Sequence, residues 1–298
     1  MFPNKSFYWI ELFVNHKEVK NMIVTLKEVL SDAKKKHYGI GAFNAVNMEM
    51  VRGVIAAAEE LNSPVIIGTA EVLTKYTPLD TLTYLLRPLA EKSKIPVVLH
   101  FDHGLSEQKI VEAMRLGFSS VMYDCSLLPY DENITKVASL TKYAHLYGCT
   151  VEGELGHVGT NANPNAEQDI YTRVEDAKKY AEMTGVDALA VAIGTSHGLY
   201  REKPKLDIER LSEIEKAVNI PLVLHGGSGL SDDDFKNCIK SGICKINIFT
   251  DVNIAASTAV YKNYEDNKGM STIIPDTVQA VKAAAMRKIQ VFGSVGMA

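Results

Sequence analysis

A repeat constrains this chain more than any other feature. From Met22 onward, short apolar runs rich in Val and Ile alternate with amphipathic segments of helical length. The runs fall at 39–45, 65–70, 97–102, 120–126, 150–156, 188–194, 222–227 and 245–251. Nearly continuous apolar runs are what parallel strands need when helices cover both ends of their side-chain alternation. Helical spacing fits 49–61, 131–146, 174–184, 207–218, 232–241 and 275–291, and an opening helix follows Thr25, which can cap with Glu28 three residues on. Gly117, Gly148, Gly185 and Gly242 stand where helices can exit through a left-handed residue. Eight such units in about 250 residues have the size and count of a (β/α)8 barrel. The expected fold is therefore α/β, a TIM barrel forming a single domain over residues 22–298. A doubly wound open sheet would use fewer strands, and no GxGxxG opens the first unit. Residues 1–21 precede the pattern and read as an N-terminal extension, either native or translated from a start upstream of Met22.

Charge and cysteine usage narrow the partners. A formal net charge of −4 gives no reason to expect nucleic acid or an anionic membrane surface as partner. No apolar run is long enough to span a membrane. The apolar stretch near the N-terminus is interrupted by Glu11 and lacks a small-residue cleavage site, unlike a signal peptide. Cys125, Cys149, Cys238 and Cys244 show no CxxC pairing and suit buried, reduced thiols, so a cytoplasmic location is expected.

Barrel enzymes work at the C-terminal ends of their strands. There the sequence offers Asn44, Thr69, Asp102-His103, Asp124-Cys125-Ser126, Glu152-Gly153-Glu154, His197-Gly198, His225-Gly226-Gly227-Ser228-Gly229 and Asn247 to Asp251. A carboxylate and an imidazole closing the strand VVLHFDHG need partners, because burying such groups alone is costly. His103, His197 and His225, each at a strand end, suggest zinc held by three imidazoles with one position open. His100 is expected in the core or behind the ligands, and His157 near them; His16, His37 and His145 look like surface or helix positions. The stretch Gly226 to Gly229 before a helix can cradle a phosphate with backbone N–H groups, with Asn247 and Thr250 adding donors from the next strand. Lys245 reads as opening strand eight at the end remote from the site, so no strand end shows a Schiff-base lysine.

These stretches carry a resemblance. HGGSG at 225–229, Asn247 to Thr250, Ala42-Phe43-Asn44, Asp102-His103, VEGELG at 151–156 and Ala190 to His197 are similar to the class II, metal-dependent ketose-bisphosphate aldolases. Residues 186–200 are nearest to the tagatose-type branch. The resemblance runs from about Met22 to the C-terminus. It implies reversible cleavage of a ketose 1,6-bisphosphate, fructose or tagatose, to dihydroxyacetone phosphate and glyceraldehyde 3-phosphate through a zinc-stabilised enediolate. His103, His197 and His225 would hold Zn2+, and Glu154 matches an acidic residue close to that metal, as an alternate ligand or just behind the ligands. Asp102 would exchange the proton of the C4 hydroxyl. Gly198, Gly226, Gly227, Ser228, Asn247 and Thr250 would hold dihydroxyacetone phosphate, with a monovalent cation (Na+ or K+) near the phosphate. Asn247 would also stabilise the enediolate, while Asn44 and Thr69 would touch substrate less directly. The resemblance further implies a homodimer or homotetramer.

Two departures stand out. The family's Gly-Gly-Glu-Glu/Asp loop is replaced by residues 159–169, where Glu167 and Asp169 are the acids available to move the second proton. Asp124-Cys125-Ser126 stands for the family's Asp-Gly-Ser. A barrel metal hydrolase is the alternative of another class, but it leaves the phosphate loop unexplained. A catalytically weakened sugar-phosphate-binding homologue is the other alternative, motivated by the altered loop.

Overall fold

A computed structural model describes residues 22–156, 171–198, 200 and 204–298. The N-terminal extension, His157 and the loop carrying Glu167 and Asp169 lie outside the described residues. Eight parallel strands close in sequence order: β1 (Ile40–Asn44), β2 (Val65–Ala70), β3 (Val97–Gly104), β4 (Ser120–Tyr123), β5 (Thr150–Leu155), β6 (Ala188–Val191), β7 (Leu222–Leu224) and β8 (Ile243–Ile248). The register of β1 against β8, Ile40 opposite Lys245 and Phe43 opposite Ile248, shuts the barrel. The expected fold is the observed one.

Around it run α1 (Leu26–Lys36), α2 (Met48–Glu60), α3 (Leu79–Glu91), α4 (Glu107–Leu116), α5 (Tyr130–Leu146), α6 (Val174–Thr184), α7 (Ile208–Ala217), α8 (Asp232–Lys240), α9 (Thr250–Glu265) and α10 (Met270–Phe292). Their ends follow their caps. Asn47, Ser106, Asp207 and Ser231 accept backbone N–H groups at N-termini, and Gly117, Gly148, Gly185 and Gly242 all take positive φ. Several boundaries differ from the sequence reading: the runs at 120–126, 188–194 and 222–227 end as strands at Tyr123, Val191 and Leu224, and α3 and α9 occupy stretches where no helix was expected. The last strand stops at Ile248, so Thr250 and Asp251 open α9 instead of ending a strand. The final helix begins at Met270, with Pro275 inside it.

Two apolar layers hold the barrel. Outward residues such as Val97, Leu99 and Phe101 pack beneath the helices. Inward residues Ile40, Ala42, Ile66, Val98, Ala188, Ala190 and Val223 meet Leu26, Val29, Leu30 and Ala33 of α1. Thus α1 plugs the N-terminal end of the barrel, tied by Leu26 N–H to Thr150 Oγ1 at 3.1 Å and by Val24 N–H to the Val97 carbonyl at 3.0 Å. Function is left to the opposite end.

Candidate active site

Each strand brings its polar residues to that end by local geometry. Along β3, Val98 and His100 point inward, so strict alternation would turn His103 toward the helices. It does not, because the pairing with β4 slips: Phe101 stands opposite Val121, but Gly104 stands opposite Tyr123. His103 absorbs this bulge with φ of 42°, a left-handed conformation that non-glycine residues rarely adopt. Asp102 and His103, though adjacent, both line one cavity of about 380 Å3.

Around that cavity three imidazoles converge. His103, His197 and His225 offer ligand atoms all within 4.8 Å of one another. His103 Nδ1 meets Asp124 Oδ2 at 2.7 Å, and His225 Nε2 meets Glu152 Oε1 at 2.8 Å. Each carboxylate fixes a proton on the nitrogen that faces it. The remaining nitrogens, His103 Nε2 and His225 Nδ1, then face each other at 2.7 Å. Two lone pairs aimed together repel unless a cation stands between them. In the absence of metal a proton takes that place: burial opposes charge on His103, but Asp102, Asp124 and Glu154 outweigh it and raise its pKa to about 10. His225 shifts the other way, lowered by burial and by His103. Glu154 Oε2 lies 3.8 Å from His225 Nδ1, close enough to join the same donor set. Three imidazoles, two of them backed by carboxylates, with a further carboxylate at hand, fit a divalent metal of the zinc type.

Asp102 is buried beside them. It accepts from Asn44 Nδ2 at 2.7 Å and from Asn247 Nδ2 at 3.1 Å on each oxygen. Burial works against its charge, yet His103, His100, Lys245 and His225 together hold the carboxyl well below the usual range. It is therefore ionised at neutral pH. His100 lies behind it as expected, with Nδ1 on Ser120 Oγ at 2.8 Å and Nε2 3.5 Å from Asp102 Oδ1.

The exits of β6, β7 and β8 form a polar nest. Gly198, Gly226, Gly227, Ser228, Asn247 and Thr250 all line the cavity. Gly226 has φ of 66°, and a Cβ there would sit 2.5 Å from the Ser196 carbonyl oxygen, so no side chain fits. Thr250 is the first residue of α9, which directs a helix N-terminus toward the cavity. Thr69 behaves differently. It is buried on β2 and does not line the cavity; its neighbour Ala70 does. Alternation explains this, since Ile66 faces the barrel interior and Thr69, three residues on, faces the helices.

Four contributors have parts that the sequence reading did not give them. Lys245 does not sit at the remote end of strand eight. The strand starts at Ile243, and the fully buried ammonium reaches up the barrel to Glu152 Oε2 at 2.8 Å and Asn247 Oδ1 at 2.7 Å. Glu152 is the second: Lys245 and His225 overcome the effect of burial and lower its pKa to about 2. The signal was present, because Glu152 with Glu154 and Lys245 with Asn247 are i, i+2 pairs and so share a strand face. The third is Tyr200, whose hydroxyl donates to the Gly226 carbonyl at 2.7 Å and accepts from Ser196 N–H at 2.9 Å, tying two loops of the nest. The fourth is Glu71, which accepts from the N–H groups of Leu105 (2.7 Å) and Ser106 (3.1 Å) and so joins the β2 and β3 exits. Cys125, in the altered Asp-Cys-Ser turn, is not among the residues with positive φ.

Comparison with known proteins identifies the family. The family model for fructose-bisphosphate aldolase class-II matches residues 24–297. An uncharacterized protein of Escherichia coli (strain K12), YdjI, is 40% identical over 282 residues, covering 93% of this chain and 100% of YdjI. The crystal structure of the YdjI aldolase superposes with a TM-score of 0.84 at 38% identity, covering 93% of this chain and 99% of that one. The fructose-bisphosphate aldolase of Campylobacter jejuni shares the fold, with a TM-score of 0.79 at 23% identity over 92% of this chain and 96% of that one. With its family model matched from end to end of the barrel, the chain belongs to the class-II fructose-bisphosphate aldolases and is a lyase.

Proposed function

We propose that this chain catalyses the reversible, zinc-dependent cleavage of a phosphorylated ketose to dihydroxyacetone phosphate and an aldehyde. The observation that carries the reading is the convergence of His103 Nε2 and His225 Nδ1 at 2.7 Å beside the doubly held carboxylate of Asp102. His103, His197 and His225 are the ligands, with Glu154 as an alternate one. Zinc held there supplies positive charge to stabilise a developing enediolate.

The rest is the work of the protein's own groups. Asp102, ionised, takes the proton of the C4 hydroxyl while the C3–C4 bond breaks. The C4 oxygen becomes the aldehyde carbonyl, and the electron pair of the broken bond passes to the enediolate of C2 and C3. A proton returned to C3 completes dihydroxyacetone phosphate. Asn247 has two N–H hydrogens; one holds Asp102 and the other is free to meet the enediolate oxygen. Gly198, Gly226, Gly227, Ser228 and Thr250 receive the phosphate on backbone N–H groups, hydroxyls and the N-terminus of α9, with Na+ or K+ beside it. Asn44 acts through Asp102.

The assay offers a set of phosphorylated ketoses, fructose and tagatose 1,6-bisphosphate together with the corresponding 1-phosphates, with and without chelator. Cleavage that chelator abolishes and Zn2+ restores is the expected result. Activity untouched by chelator refutes the metal, and tight binding without cleavage identifies a binding protein instead.

A further inference from the structure

The nest and the metal ligands account for the dihydroxyacetone phosphate half of a substrate. The other half must lie across the barrel. Because the strands close in sequence order, β7, which leads into Gly226 to Ser228, stands diametrically opposite β3. The cavity wall on the β2–β3 side is Ala70, Val72, Leu73 and Leu105. All four are apolar, and among the described residues no lysine or arginine lines the cavity at all.

This wall is built rather than incidental. Val72 and Leu73 belong to one 3-10 turn, Glu71–Leu73, and Leu105 follows β3. Glu71 clamps the two segments together through Leu105 N–H, Ser106 N–H and Ser106 Oγ, at 2.7, 3.1 and 3.0 Å. The clamp also puts a carboxylate directly behind the wall. Lys75, the nearest cation in sequence, turns aside, with Nζ 4.9 Å from the centre of the Tyr76 ring. Residues 157–170 contain no lysine or arginine. A phosphate dianion against this wall would lose hydration without gaining a cation from the cavity lining. A carbon chain loses nothing there and buries apolar surface.

We infer that the aldehyde half of the site takes an aldehyde with no phosphate at its far end, its carbon skeleton packed on Val72, Leu73 and Leu105. The substrate is then a ketose 1-phosphate rather than a 1,6-bisphosphate. The inference rests on the aldolase reading above and narrows its substrate class.

The condensation direction tests it with the metal-loaded, full-length protein. There C3 of dihydroxyacetone phosphate loses a proton and bonds to the aldehyde carbon, whose oxygen takes a proton from Asp102. Exchange of the C3 hydrogen of dihydroxyacetone phosphate with D2O reports the first half alone. Its absence overturns the aldolase reading and this inference with it. With exchange present, D-glyceraldehyde and propionaldehyde are compared with D-glyceraldehyde 3-phosphate at fixed ionic strength. The expected result is a kcat/KM for the unphosphorylated aldehydes at least equal to that for the phosphorylated one. A ten-fold or greater preference for glyceraldehyde 3-phosphate, or exchange with no condensation of any unphosphorylated aldehyde, overturns the inference and leaves the aldolase reading standing. A cation delivered by a second subunit would give that first outcome. The half-exposed Val72 permits a second arm: Val72→Lys is expected to shift the ratio at least five-fold toward the phosphorylated aldehyde, and an unchanged ratio counts against the wall as the specificity element.

Discussion

Lys245 Nζ donates to Asn247 Oδ1 at 2.7 Å, and this one bond decides which way the Asn247 amide faces. An ammonium has only donors, so the amide oxygen must turn to it and the NH2 group must turn to Asp102. The same ammonium pairs with Glu152, whose other oxygen holds His225. A buried cation thus orients, through Asn247 and Glu152, the surroundings of Asp102 on one side and of His225 on the other. Replacing it by an apolar side chain leaves Glu152 charged and uncompensated inside the barrel. Lys245→Met is expected to lose about 3–5 kcal/mol of stability, measured by urea denaturation, whereas an exposed pair such as Lys36–Asp32 is expected to contribute under about 1 kcal/mol.

Proton transfer is assigned to Asp102. Asp102→Ala should lower kcat for cleavage by roughly 10²- to 10⁴-fold, the span of general acid–base contributions. Affinity for dihydroxyacetone phosphate, which the nest provides, should change far less. Steady-state kinetics together with equilibrium binding separate the two effects. A variant that keeps full activity would remove Asp102 from the mechanism.

Loading the metal should release a proton. In the metal-free protein the proton between His103 and His225 occupies the ligand position, and the raised pKa of His103, about 10, keeps it there at neutral pH. Zinc titrations in buffers of different ionisation enthalpy should therefore show about one proton displaced per ion at pH 7.5. Removing the carboxylate behind His103 frees its ring orientation. Asp124→Ala is expected to weaken zinc binding about 10- to 100-fold.

Glu152 supplies a pH dependence whose sign is fixed. Its folded pKa, about 2, lies below the ordinary 4.5, so the unfolded chain holds the proton more tightly. The group adds stability above pH 4.5, and that contribution drains away as the pH falls from 4.5 toward 2. The shift corresponds to on the order of 3 kcal/mol at neutral pH. Denaturation midpoints of the metal-free protein should fall across this window, and Glu152→Gln should flatten that part of the curve.

The fold was legible because periodicity is a whole-chain property: eight apolar runs separated by helical spacing leave few architectures open. The gathering of His103, His197, His225 and Asp102 at one end was legible because strand ends are where a barrel exposes polar groups. What was lost depended on direction. Thr69 stands at a strand end like Asn44, but its side chain points to the helices, and a position count alone does not say so. Lys245 was misjudged by where its backbone lies, since a lysine stem spans several ångströms and delivers its charge one layer higher. The Glu71 clamp joins β2 to β3 across a separation of 34 residues, and no local pattern announces such a bond.

The bulge in β3 has a mechanical meaning. A pleated strand presents every second residue to one side, so neighbouring side chains normally belong to different layers of the molecule. By twisting His103 into the left-handed region, the strand hands two successive residues to one cavity. Their α-carbons are then joined by a single peptide unit, a covalent ruler of about 3.8 Å. His225 follows β7 and His197 lies six residues beyond β6, so only the fold holds them beside His103. Asp102 and His103, proposed above as proton carrier and ligand, stay joined by that one link, so a metal held on His103 would keep Asp102 close beside it.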